Sequence, residues 1–243
     1  LTFIAGELEE NVILETADPS YRGKLMAMSR VERERLLGGN WKVKPMAGEV
    51  FRRNEVGILD AMPTDIVDTV RGWDLAATEP SETSKDPDWT CGVKISRREN
   101  GRFLVEHAEF CRKRSDEVRK LVRRTAENDG PAVKIEIPQD PGQAGKDQAA
   151  GYVSLLTGFD VNTEPETGSK ETRADNFSAQ WQGGNVDLMR GLWNKQYLDQ
   201  MEGFPSKGVH DDAVDGSSTA FKKLATVSGP GYTAPRRPPP PRR

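Results

Sequence analysis

Cysteine and histidine are scarce in this chain, with two of each in 243 residues. Cys91, Cys111, His107 and His210 share no paired spacing and give no basis for a structural zinc site. Both cysteines fall in strand-like apolar runs and read as reduced core residues of an intracellular protein, not as a disulfide. No apolar run approaches the roughly 20 residues that cross a membrane, and no secretory signal pattern is present. A basic excess is also missing. The net charge of −3 argues against a simple nucleic-acid coat protein, but not against an enzyme that gathers its acids in one place. No segment matches a Walker A loop. Gly142-Gln143-Ala144-Gly145-Lys146-Asp147 comes nearest and has the wrong spacing and no Ser or Thr, so the sequence makes no case for ATP hydrolysis. Leu1 is not a natural start, and the chain reads as a fragment of a longer one.

Residues 1–57 read as an irregular connector. Tyr21, Leu25, Met26 and Met28 mark a short amphipathic stretch, and a second runs from Val31 to Leu37 and stops at Gly38-Gly39. Trp41 and Phe51 lie outside these and are expected to dock on a neighbouring domain. Residues 58–228 carry the globular pattern. Strands are expected over Val67–Ala76, Trp89–Ile95 and Arg102–Phe110, the last two joined by an Asn100-Gly101 hairpin turn. A long polar loop, Thr78–Asp88, interrupts this antiparallel meander. The period then changes. Ser115 caps a helix with Val118, Leu121, Val122 and Ala126 on one face. Val133–Ile137 is a fourth strand, Gln143–Leu156 a helix, and Phe159–Thr163 a fifth strand. Asn176–Trp181, Trp193–Met201 and Asp211–Leu224 read as helices. The coarse order is βββαβαβα, an α/β fold with three leading antiparallel strands. Residues 229–243 are Pro-rich with paired arginines and should form an extended, disordered tail, either inert or a basic arm for nucleic acid or a partner.

What the sequence does have is aspartate at three distant places. Asp74 ends an apolar strand, Asp140 follows the fourth strand in a Pro/Gly turn, and Asp211, Asp212 and Asp215 open the last helix. A strand-edge surface charge, turn chemistry and helix capping are the competing explanations for each alone. Yet an acid in an apolar strand costs several kcal/mol, on the order of a lost ion pair, unless something pairs with it, and no single segment supplies that partner. By period-2 alternation Trp73 and Leu75 point away from Asp74, whose face carries the small residues Gly72 and Ala76, leaving room for ions. Asp140 sits at a strand's carboxyl end, where sites form in open α/β sheets. Asp212 and Asp215 share a helix face, and His210 stands ready to hydrogen-bond a carboxylate or a leaving group. Oxygen-only ligation suits Mg²⁺ or Mn²⁺, and two such ions can drive phosphodiester hydrolysis. Lys170 and Arg173 are either surface charges or phosphate contacts, and Lys146 follows backbone N–H groups of Gln143 to Gly145 suited to a phosphate. Arg119, Lys120, Arg123 and Arg124 read as a solvated helix face.

Taken together, these residues resemble the C-terminal nuclease portion of the large terminase subunit of tailed bacteriophages, over almost the whole chain. The match rests on Tyr21, Leu36-Leu37-Gly38-Gly39-Asn40-Trp41, Gly48-Glu49-Val50-Phe51, Gly72-Trp73-Asp74 and Gln139-Asp140-Pro141-Gly142-Gln143-Ala144-Gly145-Lys146. It continues through Lys170-Glu171-Thr172-Arg173-Ala174 and Phe204-Pro205 to His210-Asp211-Asp212-Ala213-Val214-Asp215. The resemblance implies an RNase H-like fold and a Mg²⁺- or Mn²⁺-dependent endonuclease that cuts concatemeric double-stranded DNA during packaging. It makes residues 1–57 the link to a packaging ATPase domain, and implies a portal and a small terminase subunit as partners in the cytoplasm of an infected bacterial host. Asp74 matches the first-strand metal ligand and Asp140 the acid after the fourth strand, with Glu136 as a fallback there. The choice among Asp211, Asp212 and Asp215 stays open. Alternatives are another RNase H-like nuclease, such as a junction resolvase or ribonuclease H, or a non-catalytic docking module for portal or motor.

Overall fold

The computed structural model describes residues 12–18 and 20–226. The expected tail, 229–243, and the start of the expected connector lie outside them. Three short helices, α1 (Val12–Ala17), α2 (Tyr21–Met26) and α3 (Arg30–Leu36), precede strand β1 (Gly57–Leu59). Then come β2 (Ile66–Asp74), β3 (Thr90–Arg98), β4 (Phe103–Cys111), α4 (Ser115–Asp129), β5 (Lys134–Gln139) and α5 (Gln143–Leu155). The chain continues through β6 (Val161–Pro165), α6 (Lys170–Gln182), β7 (Val186–Met189), α7 (Asn194–Gly203) and α8 (Asp212–Thr226). The strands form one sheet in the order β1-β7-β4-β3-β2-β5-β6. The β2–β3 and β3–β4 pairs are antiparallel, as the meander predicts, whereas β5 and β6 run parallel to β2.

Alternation along β2 sorts its side chains between two helical layers. Trp73 packs with Val118, Val122, Ile135, Ile137 and Tyr152 under α4 and α5. Val70 joins Val93, Phe177, Tyr197, Val214, Ala220 and Leu224 in the larger core under α6, α7 and α8. Gly72 shares this second face, and there its small size admits a helix, not an ion. A Cβ at position 72 would lie 2.4 Å from both Gly216 O and Ala220 N. The backbone of α8 therefore rests directly on β2, which fixes the height of its N-terminus above the sheet.

Strands β1 and β7 were not expected. They are three and four residues long, too short for an alternation signal, and exist because β7 pairs with both β1 and β4. Phe51, in the expected connector, docks on the adjoining 58–228 unit. It is fully buried, with ring centroids 5.4 Å from Trp181 and 6.0 Å from Phe177, while Trp181 Nε1 donates to Arg52 O at 2.8 Å. Trp41 remains 57% exposed. The basic face of α4 is less free than expected: the Arg119 and Arg123 guanidinium groups stack over Tyr152 and Phe159.

Candidate metal centre

Strands β2, β5 and β6 are parallel to one another, so their carboxyl ends meet along one edge of the sheet. The β2–β5 ladder stops at the Gly72–Glu136 pair. Two residues on, Pro138 has no N–H to continue it. β2 and β5 are thus not paired with each other where Asp74 and Asp140 stand, although Asp74 still pairs with Cys91 on β3. The N-terminus of α8, held down at Gly72, delivers its acids to the same edge.

Asp74 lies at the centre of this arrangement. Burial holds its carboxyl well above the usual carboxylate range; the negative charges of Asp215 and Asp212 push it further, Glu166 adds to them, and Lys170 opposes. Asp212, the first residue of α8, is also buried, at 4% exposure. Its Oδ1 accepts the Trp89 N–H at 3.1 Å, while burial raises its carboxyl to about 6. The adjoining Ala213 N–H donates to Gln200 Oε1 at 2.8 Å, which caps the helix.

Asp215 differs from Asp212 because cations already hold it. Lys170 Nζ lies 2.6 Å from Asp215 Oδ2 and 2.8 Å from Asp211 Oδ1. Arg173 Nη2 lies 2.8 Å from Asp215 Oδ1 and 3.2 Å from Glu166 Oε2. Burial would lower the Lys170 ammonium, but its two carboxylate partners outweigh that and raise it. The first turn of α6 therefore clamps the first turn of α8.

Asp140 is exposed in the turn before α5. That turn folds back tightly, since a Cβ on Gly145 would lie 2.1 Å from Asp140 O. Lys146, the next residue, is exposed on the first turn of α5. Glu166, just past β6, links the two sides of the site. Burial raises its carboxyl, Arg173 lowers it, and Asp215 and Asp140 raise it again. Glu136 stays apart. It is level with Gly72, deeper in the sheet than Asp74, and pairs with Asn162 Nδ2 at 2.7 Å and Lys223 Nζ at 3.1 Å. His210 does not hydrogen-bond the acid beside it, because its Nδ1 is 3.7 Å from Asp212 Oδ2.

The structure thus gathers Asp74, Asp211, Asp212, Asp215, Lys170 and Arg173, with Asp140 on the facing strand end. Glu166 was absent from the sequence reading. Its signal was available, because the carboxyl end of the fifth expected strand marks the same edge as Asp140. That strand was expected to end at Thr163, and it runs to Pro165.

Residues 71–224 match the family model described as the terminase RNaseH-like domain. Comparison with curated proteins by sequence gives no match. Among solved structures, the chain is similar to the large terminase nuclease from thermophilic phage G20c with bound magnesium, with a TM-score of 0.54 and 16% identity, covering 74% of this chain and 99% of that one. The same nuclease with bound zinc aligns with a TM-score of 0.50 and 17% identity, covering 72% and 98%. The large terminase of a thermophilic bacteriophage in complex with ADP aligns with a TM-score of 0.61 and 12% identity. That alignment covers 91% of this chain and 55% of the larger protein. The mixed sheet and its flanking helices are RNase H-like.

Proposed function

The chain belongs to the terminase RNase H-like domain family, and from that premise we propose that it is a metal-dependent DNA endonuclease domain of a viral DNA-packaging terminase. The observation that carries this reading is the setting of Asp74. It is recessed among carboxylates from separate segments, with burial, Asp215 and Asp212 all raising its carboxyl. An all-oxygen donor set whose repulsion Lys170 only partly offsets fits hard divalent cations, Mg²⁺ or Mn²⁺, as a pair. Bound there, such ions supply an activated water and stabilise the leaving oxygen of a phosphodiester.

The side chains divide the work. Asp74, Asp140 and Asp212 would hold the ions, Asp140 from the β5 side and Asp212 from the α8 side. Asp215 is a positioning residue, because Lys170 and Arg173 occupy its oxygens. Lys146 and the N–H groups opening α5 face the side where a DNA phosphate would approach. Lys170 and Arg173 can reach a phosphate only by loosening their hold on Asp211 and Asp215.

The substrate is double-stranded DNA in concatemeric form, and the full protein adds an N-terminal packaging ATPase domain. The portal and the small terminase subunit complete the assembly in the cytoplasm of the infected bacterium. Among the described residues no helix is long and apolar enough to cross a membrane. The test is plasmid cleavage in Mn²⁺ by the wild type and by Asp74→Asn and Asp140→Asn. Both variants should lose cleavage while keeping their circular-dichroism spectra. Cleavage at wild-type rate by Asp74→Asn would sink the assignment.

A further inference from the structure

One oxygen of the acid cluster is buried and has no donor. Asp212 Oδ2 accepts no hydrogen bond among the described residues, although the residue is only 4% exposed. A buried carboxylate oxygen in that state costs free energy, and native structures fill such positions with a proton, a water or an ion. What faces it is a ring nitrogen. His210 Nδ1 is 3.7 Å from Asp212 Oδ2 and 3.7 Å from Asp88 Oδ1, too far for hydrogen bonds.

Asp88, His210 and Asp212 each offer one ligand atom, and these atoms lie within 4.8 Å of one another. Imidazole nitrogen and carboxylate oxygen bind first-row metals at about 2.0–2.2 Å. Tetrahedral or octahedral angles then hold two ligands about 3.0–3.6 Å apart, so both 3.7 Å gaps need close by only a few tenths of an ångström. The Asp88 side chain is 83% exposed on the loop before β3, and it has room to make that adjustment.

The far side of the imidazole is fixed for this purpose. His210 Nε2 lies 2.9 Å from Asp86 Oδ2 and 2.7 Å from Arg112 Nη2. Arg112 Nη2 also donates to Asp86 Oδ1 at 2.6 Å, and its guanidinium carbon sits 4.0 Å over the Trp89 ring. Metal binding would select the tautomer in which Nε2–H donates to Asp86 and the Nδ1 lone pair faces Asp212 and Asp88; in that state Arg112, a donor only, is held by Asp86 and not by Nε2. A carboxylate holding the outer nitrogen of a ligating histidine is a recurring arrangement at metal sites.

We propose that Asp88, His210 and Asp212 form a second cation site, for a transition metal that accepts nitrogen, such as Zn²⁺, Co²⁺ or Mn²⁺. It is distinct from the oxygen-only set around Asp74 and touches that set through the Asp212 carboxylate. Mg²⁺ is disfavoured there, since imidazole suits the softer ions. Occupancy ties the loop that carries Asp86 and Asp88 to the start of α8. The site stands whether or not the acids around Asp74 cut DNA.

The experiment titrates Co²⁺ alone into the Asp74→Asn protein and follows the nitrogen-15 imidazole signals. The chain has only two histidines, and His107 on β4, bonded to Arg71 on β2, is the internal control. The His210 signals should shift strongly while Mg²⁺ leaves them in place. The visible absorption of Co²⁺ should show affinity falling about tenfold or more in Asp88→Asn and in His210→Gln. Asp88→Asn, on an exposed loop, leaves the fold out of question. Unmoved His210 signals, or unchanged Co²⁺ affinity in both variants, overturns the proposal. Failure of the nuclease reading shows up elsewhere, as absence of metal-dependent cleavage by the wild type.

Discussion

Arg173 and Asp215 join two helices across the rim of the acid cluster, with Nη2 of one 2.8 Å from Oδ1 of the other. The same guanidinium reaches Glu166 at 3.2 Å, so a single cation restrains acids from α8 and from the end of β6. Lys170 completes the clamp on Asp215 from one turn away. Four acids near Asp74 are thereby reduced to those that face it unpaired.

Arg173→Ala should lower stability by about 1–2 kcal/mol, the scale of a part-buried charged hydrogen bond. Arg173→Lys should recover only part of that, because an ammonium cannot span both carboxylates as a fork does. Urea unfolding of Arg173→Ala, Asp215→Asn and the double variant checks the coupling. Strictly additive losses would show that the two residues do not act together.

Asp74 should destabilise the metal-free protein near neutral pH. Its carboxyl is raised by burial and by Asp215 and Asp212, so ionising it works against folding. Metal-free Asp74→Asn should therefore melt above the wild type. Millimolar Mn²⁺ should raise the wild-type melting temperature, as any ligand of the folded state does, and raise that of the variant less. Calorimetry with and without Mn²⁺ tests both signs.

Asp212 gives a pH signature. Burial raises its carboxyl to about 6 in the folded protein, above the ordinary 3.8 of an aspartate, so the folded protein holds the proton more tightly than the unfolded chain. The stabilisation is fully present below the unfolded value and is lost as pH rises through about 6. Asp212→Asn should gain on wild type across that window by on the order of 1–2 kcal/mol in metal-free buffer. A stability difference flat across the window would remove Asp212 from the strained set.

Gly72→Ala should be among the most damaging single-methyl additions, since the new Cβ would meet backbone of α8 at 2.4 Å. A loss of about 1–3 kcal/mol is the usual cost of overpacking. If the helix lifts to make room, cleavage should fall further than stability alone explains, because Asp212 and Asp215 move with it. Paired denaturation and cleavage assays separate the two effects.

The sheet's leading strands and the principal helices were legible because their apolar periods are long and their turns are marked by Asn100-Gly101 and Pro141-Gly142. The placement of Asp74 opposite Trp73 followed from alternation alone. Strands β1 and β7 were hidden because they are held by partners far off in sequence. Phe51 was expected to dock, but a lone aromatic in an irregular segment does not say which surface receives it, and Trp181 and Phe177 are more than a hundred positions away. The roles within the aspartate trio were equally closed to spacing. What separates Asp215 from Asp212 is that Lys170 and Arg173, some forty positions earlier, reach Asp215, with Lys170 also on Asp211, and not Asp212.

The contact of α8 backbone with Gly72 makes the helix a ruler with its zero mark set on β2. With peptide groups of strand and helix already touching, α8 cannot slide along the sheet to suit a larger or smaller ion. The distance from Asp74 to the acids of the first turn is graduated in helical rise and in the length of the side chain, not in movement of the helix. Adjustment of this centre, by selection or by design, is therefore confined to exchanging one acid for its longer or shorter homologue, or to moving the acid by whole residues.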